Sequence, residues 1–307
     1  MHAVIIRSFG GPEVLEPADL PKPNPREGEV LIHVRAAGVN PVDYKIRSGA
    51  FGKEDTPLPM VLGRDVSGTV ESVGPGVTSV KPGDEVYAFL GFHSGGYAEF
   101  ALARETEVAG KPRSLDFVES AAVPLAATTA WQALFDHGQL QPGQRVLIQG
   151  AGGGVGHFAV QFAKAKGATV FAVADGKDFK LLKMLGVDEL IDYKRERFED
   201  RAKGVDLVID LVGGKTQERS WSVLKRGGAM VSTVQQPSEQ KARENGARGT
   251  VFMAQPRHEQ LVTIAKLIDD GKVVVAVSHT HPLDEAKEVH EELENEHSRG
   301  KLVLTVS

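Results

Sequence analysis

The stretch Arg145–Gly156, RVLIQGAGGGVG, decides the fold. The buried-strand candidate Arg145–Gln149 runs straight into a glycine turn, and Val155–Lys166 then carries apolar residues at helical spacing, through Val155, Phe158, Ala159, Phe162 and Ala163. Strand, glycine turn and helix is a dinucleotide-binding geometry. Without side chains the backbone can approach a pyrophosphate, and the unpaired N–H groups and positive dipole of a helix start favour its negative charge. The candidate contacts are Gly150, Gly152, Gly153, Gly154, Val155 and Gly156, with Gly153 and Gly156 closest. The literal GxGxxG string is absent. Counting back from Gly156 gives Ala151-x-Gly153-x-x-Gly156, so the context carries the reading and the string does not.

Outward from this turn the chain alternates strand and helix patterns, which implies a parallel sheet. A strand at Thr169–Ala174 is followed by a helix over Phe179–Leu185, a strand at Asp206–Val212, a helix near Gln217–Leu224, and strands at Ala229–Val234 and Thr250–Met253. The expected total is six strands. The end of the second strand chooses the dinucleotide, because a carboxylate there hydrogen-bonds a ribose 2′-OH whereas a cation accommodates a 2′-phosphate. Asp175, 22 residues after Gly153, fits the first case, while Lys177 and Lys180 fit the second. Val212, ending a strand of the same sheet, joins the candidate cofactor contacts.

Before residue 118 the texture differs. Short β-prone runs (Ala3–Ile6, Glu29–Ala36, Gly68–Val73, Glu85–Phe89, Tyr97–Ala103) are separated by Gly and Pro, which predicts an irregular, barrel-like β domain. After Pro256 come a helix (Glu259–Asp269), a strand (Val273–Val277), a helix (Leu283–Glu294) and a last strand (Leu302–Val306), a tail expected to pack back on the first domain. The expected division is 1–119 with 257–307, and 120–256.

Composition narrows the chemistry. The 307 residues include 36 Lys plus Arg and 41 Asp plus Glu, a formal charge of −5 with interspersed carriers, which disfavours nucleic acid and anionic membranes as partners. With no Cys there is no disulfide, thiolate nucleophile or sulfur-built zinc site, and the cytoplasm is the expected compartment. No signal peptide or membrane span is expected. His279-x-His281, with His290 and His297 beyond, has no carboxylate at a matching short spacing, so no metal site is expected.

Seven collinear segments resemble the zinc-free medium-chain dehydrogenase/reductases, in their quinone oxidoreductase and enone reductase (zeta-crystallin-like) branch. They are AGVNPVDYKIRSG (37–49), LGRDVSGTV (62–70), VKPGDEVY (80–87), GGYAEF (95–100), VPLAATTAWQAL (123–134), the glycine loop with its helix, and GKLVL (300–304). The resemblance implies an α/β protein in which a GroES-like irregular β-barrel catalytic domain, made from both chain ends, surrounds a Rossmann doubly wound parallel sheet in sequence. It also implies a homodimer and a nicotinamide cofactor, NADPH before NADH. Where zinc-dependent relatives hold metal with Cys, His and Cys, this sequence has Asn40, Arg64 and Pro124, none able to replace those ligands.

Without a Lewis acid, conjugate acceptors are the easier substrates. Hydride addition to a quinone or an α,β-unsaturated carbonyl leaves charge delocalised over a phenolate or enolate, which ordinary donors can stabilise. The segment implied to face the nicotinamide supplies Asn40, Asp43, Tyr44 and Lys45 as candidate catalytic residues. Asn40 is expected to donate its amide to the substrate oxygen, Lys45 to contact cofactor or developing charge, Tyr44 to donate a proton or wall the pocket, and Asp43 to serve there or as a structural partner of a cation. Arg64 and Asp65 read as an adjacent structural pair. The resemblance places Thr128 near the nicotinamide, Tyr193 on the adenosine side and Lys301 against the pyrophosphate. Two other readings stay open: an enoyl-thioester reductase, and a nucleotide-binding protein without turnover.

Overall fold

The computed structural model describes residues 1–51, 57–295 and 300–306; His297 lies outside them. The chain divides into two units, Met1–Thr128 with Gln255–Ser307, and Thr129–Ala254.

The first unit opens with β1 (His2–Ile6), β2 (Leu15–Asp19), β3 (Glu29–Val39), β4 (Met60–Val61), β5 (Asp65–Val73), β6 (Glu85–Phe89), β7 (Phe100–Arg104) and β8 (Val108–Gly110). Strand β3 organises it. One edge pairs with β5, while the other is shared between β7, opposite Glu29–His33, and the chain's last strand, opposite Ala36–Val39. Its register with β5 shifts twice, at Leu31/Ile32 and Val34/Ala36, and such irregularities let a strand bend enough to serve several partners. Helix α1 (Pro41–Arg47) follows β3 at once, then α2 (Phe117–Ala121) and α3 (Pro124–Trp131). The Asn-Pro pair that begins α1 is a helix start: Asn40 is the N-cap, Pro41 takes the first position where its missing N–H costs nothing, and Asp43 closes a capping box.

The second unit holds β9 (Arg145–Gln149), β10 (Thr169–Ala174), β11 (Glu189–Asp192), β12 (Val205–Asp210), β13 (Leu224–Ser232) and β14 (Arg248–Val251), with α4 (Gly156–Ala165), α5 (Phe179–Met184), α6 (Phe198–Arg201), α7 (Gly214–Ser220) and α8 (Glu239–Asn245). All six strands are parallel, in the order β11-β10-β9-β12-β13-β14. Numbered within the sheet this is 3-2-1-4-5-6, the doubly wound order whose direction reverses between β9 and β12. Strand β11 is the one the sequence reading counted without locating. Its short run ELID is charged at both ends, so it lacks the apolar continuity of its neighbours.

The chain then returns to the first unit through α9 (His258–Asp269), β15 (Val277–Pro282), α10 (Ala286–Asn295) and β16 (Lys301–Thr305). Strand β16 pairs antiparallel with β3 and parallel with β15, so the tail completes the core that also holds Val4, Val30 and Ile32. The strand expected at Val273–Val277 is displaced: ladder partners of β16 fix it at Val277–Pro282, over the polar string SHTHP. The branched residues Val275 and Val277 instead pack as side chains against Ala36, Ala121 and Val303. None of the described helices is long and apolar enough to cross a membrane.

Candidate functional site

At the switch point the second unit presents its glycine turn. Gly150, directly after β9, has φ +76°, a left-handed conformation that an L side chain strains to adopt. A Cβ on Gly156 would collide with the Gly150 carbonyl and the Ala151 backbone, so this glycine is needed for close packing of α4 on the turn. A Cβ on Gly152 would strike the Asp178 carboxylate, whereas one on Gly153 would meet only the Gly150 oxygen at 3.5 Å, an ordinary contact. Packing within the fold therefore leaves room for a side chain at Gly153, unlike at Gly156. The Val212 side chain is 53% exposed beside Gly150, on the loop leaving β12. Buried Asp210 shapes that loop: its Oδ1 accepts the Val212 and Gly213 amides, and its Oδ2 accepts from Gln217 and Ser232. These residues fit a dinucleotide.

Just after β10, the Asp175 carboxylate is paired. The Lys194 ammonium bonds it at 2.6 Å and the Lys177 amide at 3.2 Å, and these hold its carboxyl below the usual range. Tyr193, half exposed at the end of β11, lies with its ring 5.8 Å from the same Lys194 nitrogen. Lys194 escaped the sequence reading, although its place next to Tyr193 was a usable signal. Thr128, expected near the nicotinamide, has a buried hydroxyl with no hydrogen-bond partner.

In the first unit several candidates meet inside one buried polar cluster. Asn40 Nδ2 donates to Asp65 Oδ2 at 2.9 Å and to the Gly38 carbonyl at 3.4 Å, while its Oδ1 accepts from Lys301 Nζ. Lys301 Nζ also reaches the Val39 carbonyl at 3.0 Å and Asp65 Oδ2 at 3.3 Å, and Asp65 Oδ1 accepts the Leu125 amide at 2.7 Å. Burial pushes the Asp65 carboxyl up; the Lys301 charge and the Asn40 hydrogen bond oppose it. Both Asn40 amide protons are thus engaged within the protein, and Lys301, only 4% exposed, is engaged in the same cluster.

Asp43 leads a second chain of contacts. Its Oδ2 accepts from the Asn40 amide (2.8 Å) and the Tyr97 hydroxyl (3.1 Å), while its Oδ1 is buried without a partner. Burial raises its pKa to about 6 against the pull of Arg64. Tyr97 lies 3.1 Å from His290 Nε2, and His290 Nδ1 lies 3.0 Å from Arg47, which ends on Glu294. A guanidinium only donates, so His290 Nδ1 accepts, Nε2 carries the proton toward Tyr97, and Tyr97 donates to Asp43. Arg64 and Asp65 do not pair with each other: Arg64 donates to the Gly91 and Ser94 carbonyls and stacks 4.6 Å from the Phe92 ring. Tyr44 and Lys45 are partly exposed on α1, and burial with the nearby Glu294 charge raises the Tyr44 pKa.

Two family models match, one for an alcohol dehydrogenase GroES-like domain over residues 26–113 and one for a zinc-binding dehydrogenase over residues 185–304. The chain is 35% identical to the Rattus norvegicus quinone oxidoreductase over 319 aligned residues, covering 98% of this chain and 96% of that protein. This chain belongs to the medium-chain dehydrogenase/reductase family, in its quinone oxidoreductase branch. Among solved members of the family, the Coxiella burnetii quinone oxidoreductase matches with TM-score 0.92 and 38% identity over 100% of this chain and 99% of that one. The Escherichia coli quinone oxidoreductase complexed with NADPH matches with TM-score 0.89 and 29% identity, covering 100% of both. The zinc named by one family model finds no fit at Asn40, Arg64 and Pro124, since an amide spent on its neighbours, a guanidinium and a prolyl ring offer no ligand set.

Proposed function

We propose that this chain is an NAD(P)H-dependent oxidoreductase that delivers hydride to quinones or α,β-unsaturated carbonyl compounds without zinc, with NADPH the preferred reductant. In this reading the unit formed by both chain ends is the GroES-like catalytic domain, the unit Thr129–Ala254 binds the dinucleotide, and the protein works as a cytoplasmic homodimer. The observation that carries it is that Asn40, which stands at one of the family's metal-ligand positions, is engaged in a closed set of hydrogen bonds with Asp65 and Lys301, while Arg64 and Pro124 at the other two positions offer no ligand to a Lewis acid that would polarise a simple ketone. Acceptors that spread their own charge are the ones such a protein can reduce.

The bound dinucleotide supplies the hydride. Gly150, Gly152–Gly156 and Val212 hold it, and Thr128 has a hydroxyl free to meet it. Lys194 neutralises Asp175, which removes the repulsion a 2′-phosphate would meet there, and Lys177, Lys180 and Tyr193 complete that end. On α1, Tyr44 and Lys45 are the donors left for substrate, held in place by the cap that Asn40 and Asp43 make.

The test is a panel of quinones, enones and acyl thioesters with NADPH and NADH side by side, with and without a chelator. Expected are consumption of NADPH with quinones or enones, a lower KM for NADPH than for NADH, and rates unchanged by chelation. Consumption only with thioesters, nicotinamide binding without consumption across the panel, or loss of activity on chelation would each overturn the reading.

A further inference from the structure

Strand β15 is the outer strand of its sheet and carries two histidines. Side chains two apart on a strand share a face, which puts His279 and His281 of β15 together. Helix α10 brings Glu292 to them from eleven residues beyond His281, a separation that no short motif encodes. His279 Nδ1 lies 2.9 Å from Glu292 Oε1 and His281 Nε2 lies 3.5 Å from Glu292 Oε2. One ligand atom from each of the three residues can be chosen so that all lie within 4.8 Å of one another.

The fourth residue fixes the chemistry. His281 Nδ1 is 2.9 Å from Glu285 Oε2, and a carboxylate only accepts, so in the neutral ring Nδ1 carries the hydrogen and Nε2 a bare lone pair. That Nε2 is buried and has no hydrogen-bond partner. It faces the Glu292 carboxylate at 3.5 Å, so a metal ion held between them would take a lone pair from each. Glu288 and Glu291 line the same open pocket of about 880 Å³ and add to its negative field.

We propose that His279, His281 and Glu292 bind one borderline divalent transition cation, of the zinc class, that fastens α10 to β15, with Glu285 orienting His281. Two imidazoles and one carboxylate suit zinc, nickel or cobalt and disfavour magnesium or calcium, which take oxygen ligands. Donors around a tetrahedral zinc at bonds of about 2.1 Å stand about 3.4 Å apart, within small side-chain movements of the spacing here. The carboxylate behind His281 is the outer partner that metal-bound histidines have as a rule. This site is separate from Asn40, Arg64 and Pro124 and has no part in hydride transfer.

The test uses the full, tag-free chain after dialysis against EDTA, titrated calorimetrically with Zn²⁺ and followed in parallel by the visible absorption of Co²⁺. Expected is one ion per chain, with binding about 10-fold or more weaker in Glu285→Gln and lost in His281→Ala and Glu292→Gln, while NADPH consumption stays at the wild-type rate in all three. A melting scan of each variant confirms that it is folded. Absence of stoichiometric Zn²⁺ binding to the wild type, equal affinity in His281→Ala and wild type, or equal affinity for Mg²⁺ would overturn the assignment.

Discussion

Two buried titratable groups of the first unit pull stability in opposite directions with pH. Asp43 ionises at about 6 in the folded chain against 3.8 as its reference, because burial outweighs Arg64. The folded state therefore holds the proton more tightly; the contribution is full below about pH 4 and is lost as pH rises through 6. His290 behaves in the reverse sense. Burial first, then the Arg47 charge, depresses its pKa to about 3 from 6.5, so the folded state resists protonation and stability is lost as pH falls below 6.5. Each group can be replaced by an amide that keeps an acceptor for its neighbours. Between about pH 4.5 and 7.5 the unfolding free energy of wild type relative to Asp43→Asn is expected to fall by about 2 kcal/mol, and relative to His290→Gln to rise by about 2.5 kcal/mol. Urea unfolding at several pH values measures both, and slopes of the same sign would refute the opposed effects of burial on the two groups. Nothing in the sequence linked these residues, since Asp43 and His290 are joined only by the return of α10 to a helix 43 residues from the chain start.

Among local elements, the glycine turn separates two roles that one run of Gly conceals. Gly156→Ala forces a methyl into the Gly150 carbonyl and is expected to cost about 1–3 kcal/mol in folding, read as a drop in Tm. Gly153→Ala meets only an ordinary contact and is expected to keep the wild-type Tm while losing at least 10-fold in NADPH affinity, read by nicotinamide fluorescence. Equal Tm losses in the two variants, or an unimpaired NADPH affinity in Gly153→Ala, would refute the distinction. The element itself was legible because its signals agree: β-branched residues end at a glycine and amphipathic spacing starts at once. Strand β15 was not, because VVVAV has the better strand composition and yet the ladder follows β16, whose Lys301 amide bonds the Ala276 carbonyl and sets the register. The same displacement hid the face shared by His279, His281 and Glu292. The engagement of Lys301 with Asp65 was not legible either, because only the pairing of β16 with β3 carries its ammonium inward.

For the whole molecule, the decisive asymmetry is that one unit is continuous in sequence and the other is assembled from both ends. The parallel sheet needs only residues between Thr129 and Ala254, and its core of Leu147, Phe171, Ile191, Val208 and Met230 lies entirely within them. The first unit is different, since Leu302 and Leu304 belong to the same core as Val4, Val30 and Ile32, and Val303 fills the other face of the strand. Burying three such side chains contributes about 1.5–3 kcal/mol each, a sum comparable with the whole stability margin of a domain. Losing Lys301 would also leave the Asp65 carboxylate buried without its cation. A chain ended at Gly300 is therefore expected to lose hydrogen-exchange protection at the β3 and β5 amides while β9, β10 and β12 stay protected. Retained protection in β3 would show that the last strand is dispensable, and joint loss in both units would show that the parallel sheet does not stand without the first unit.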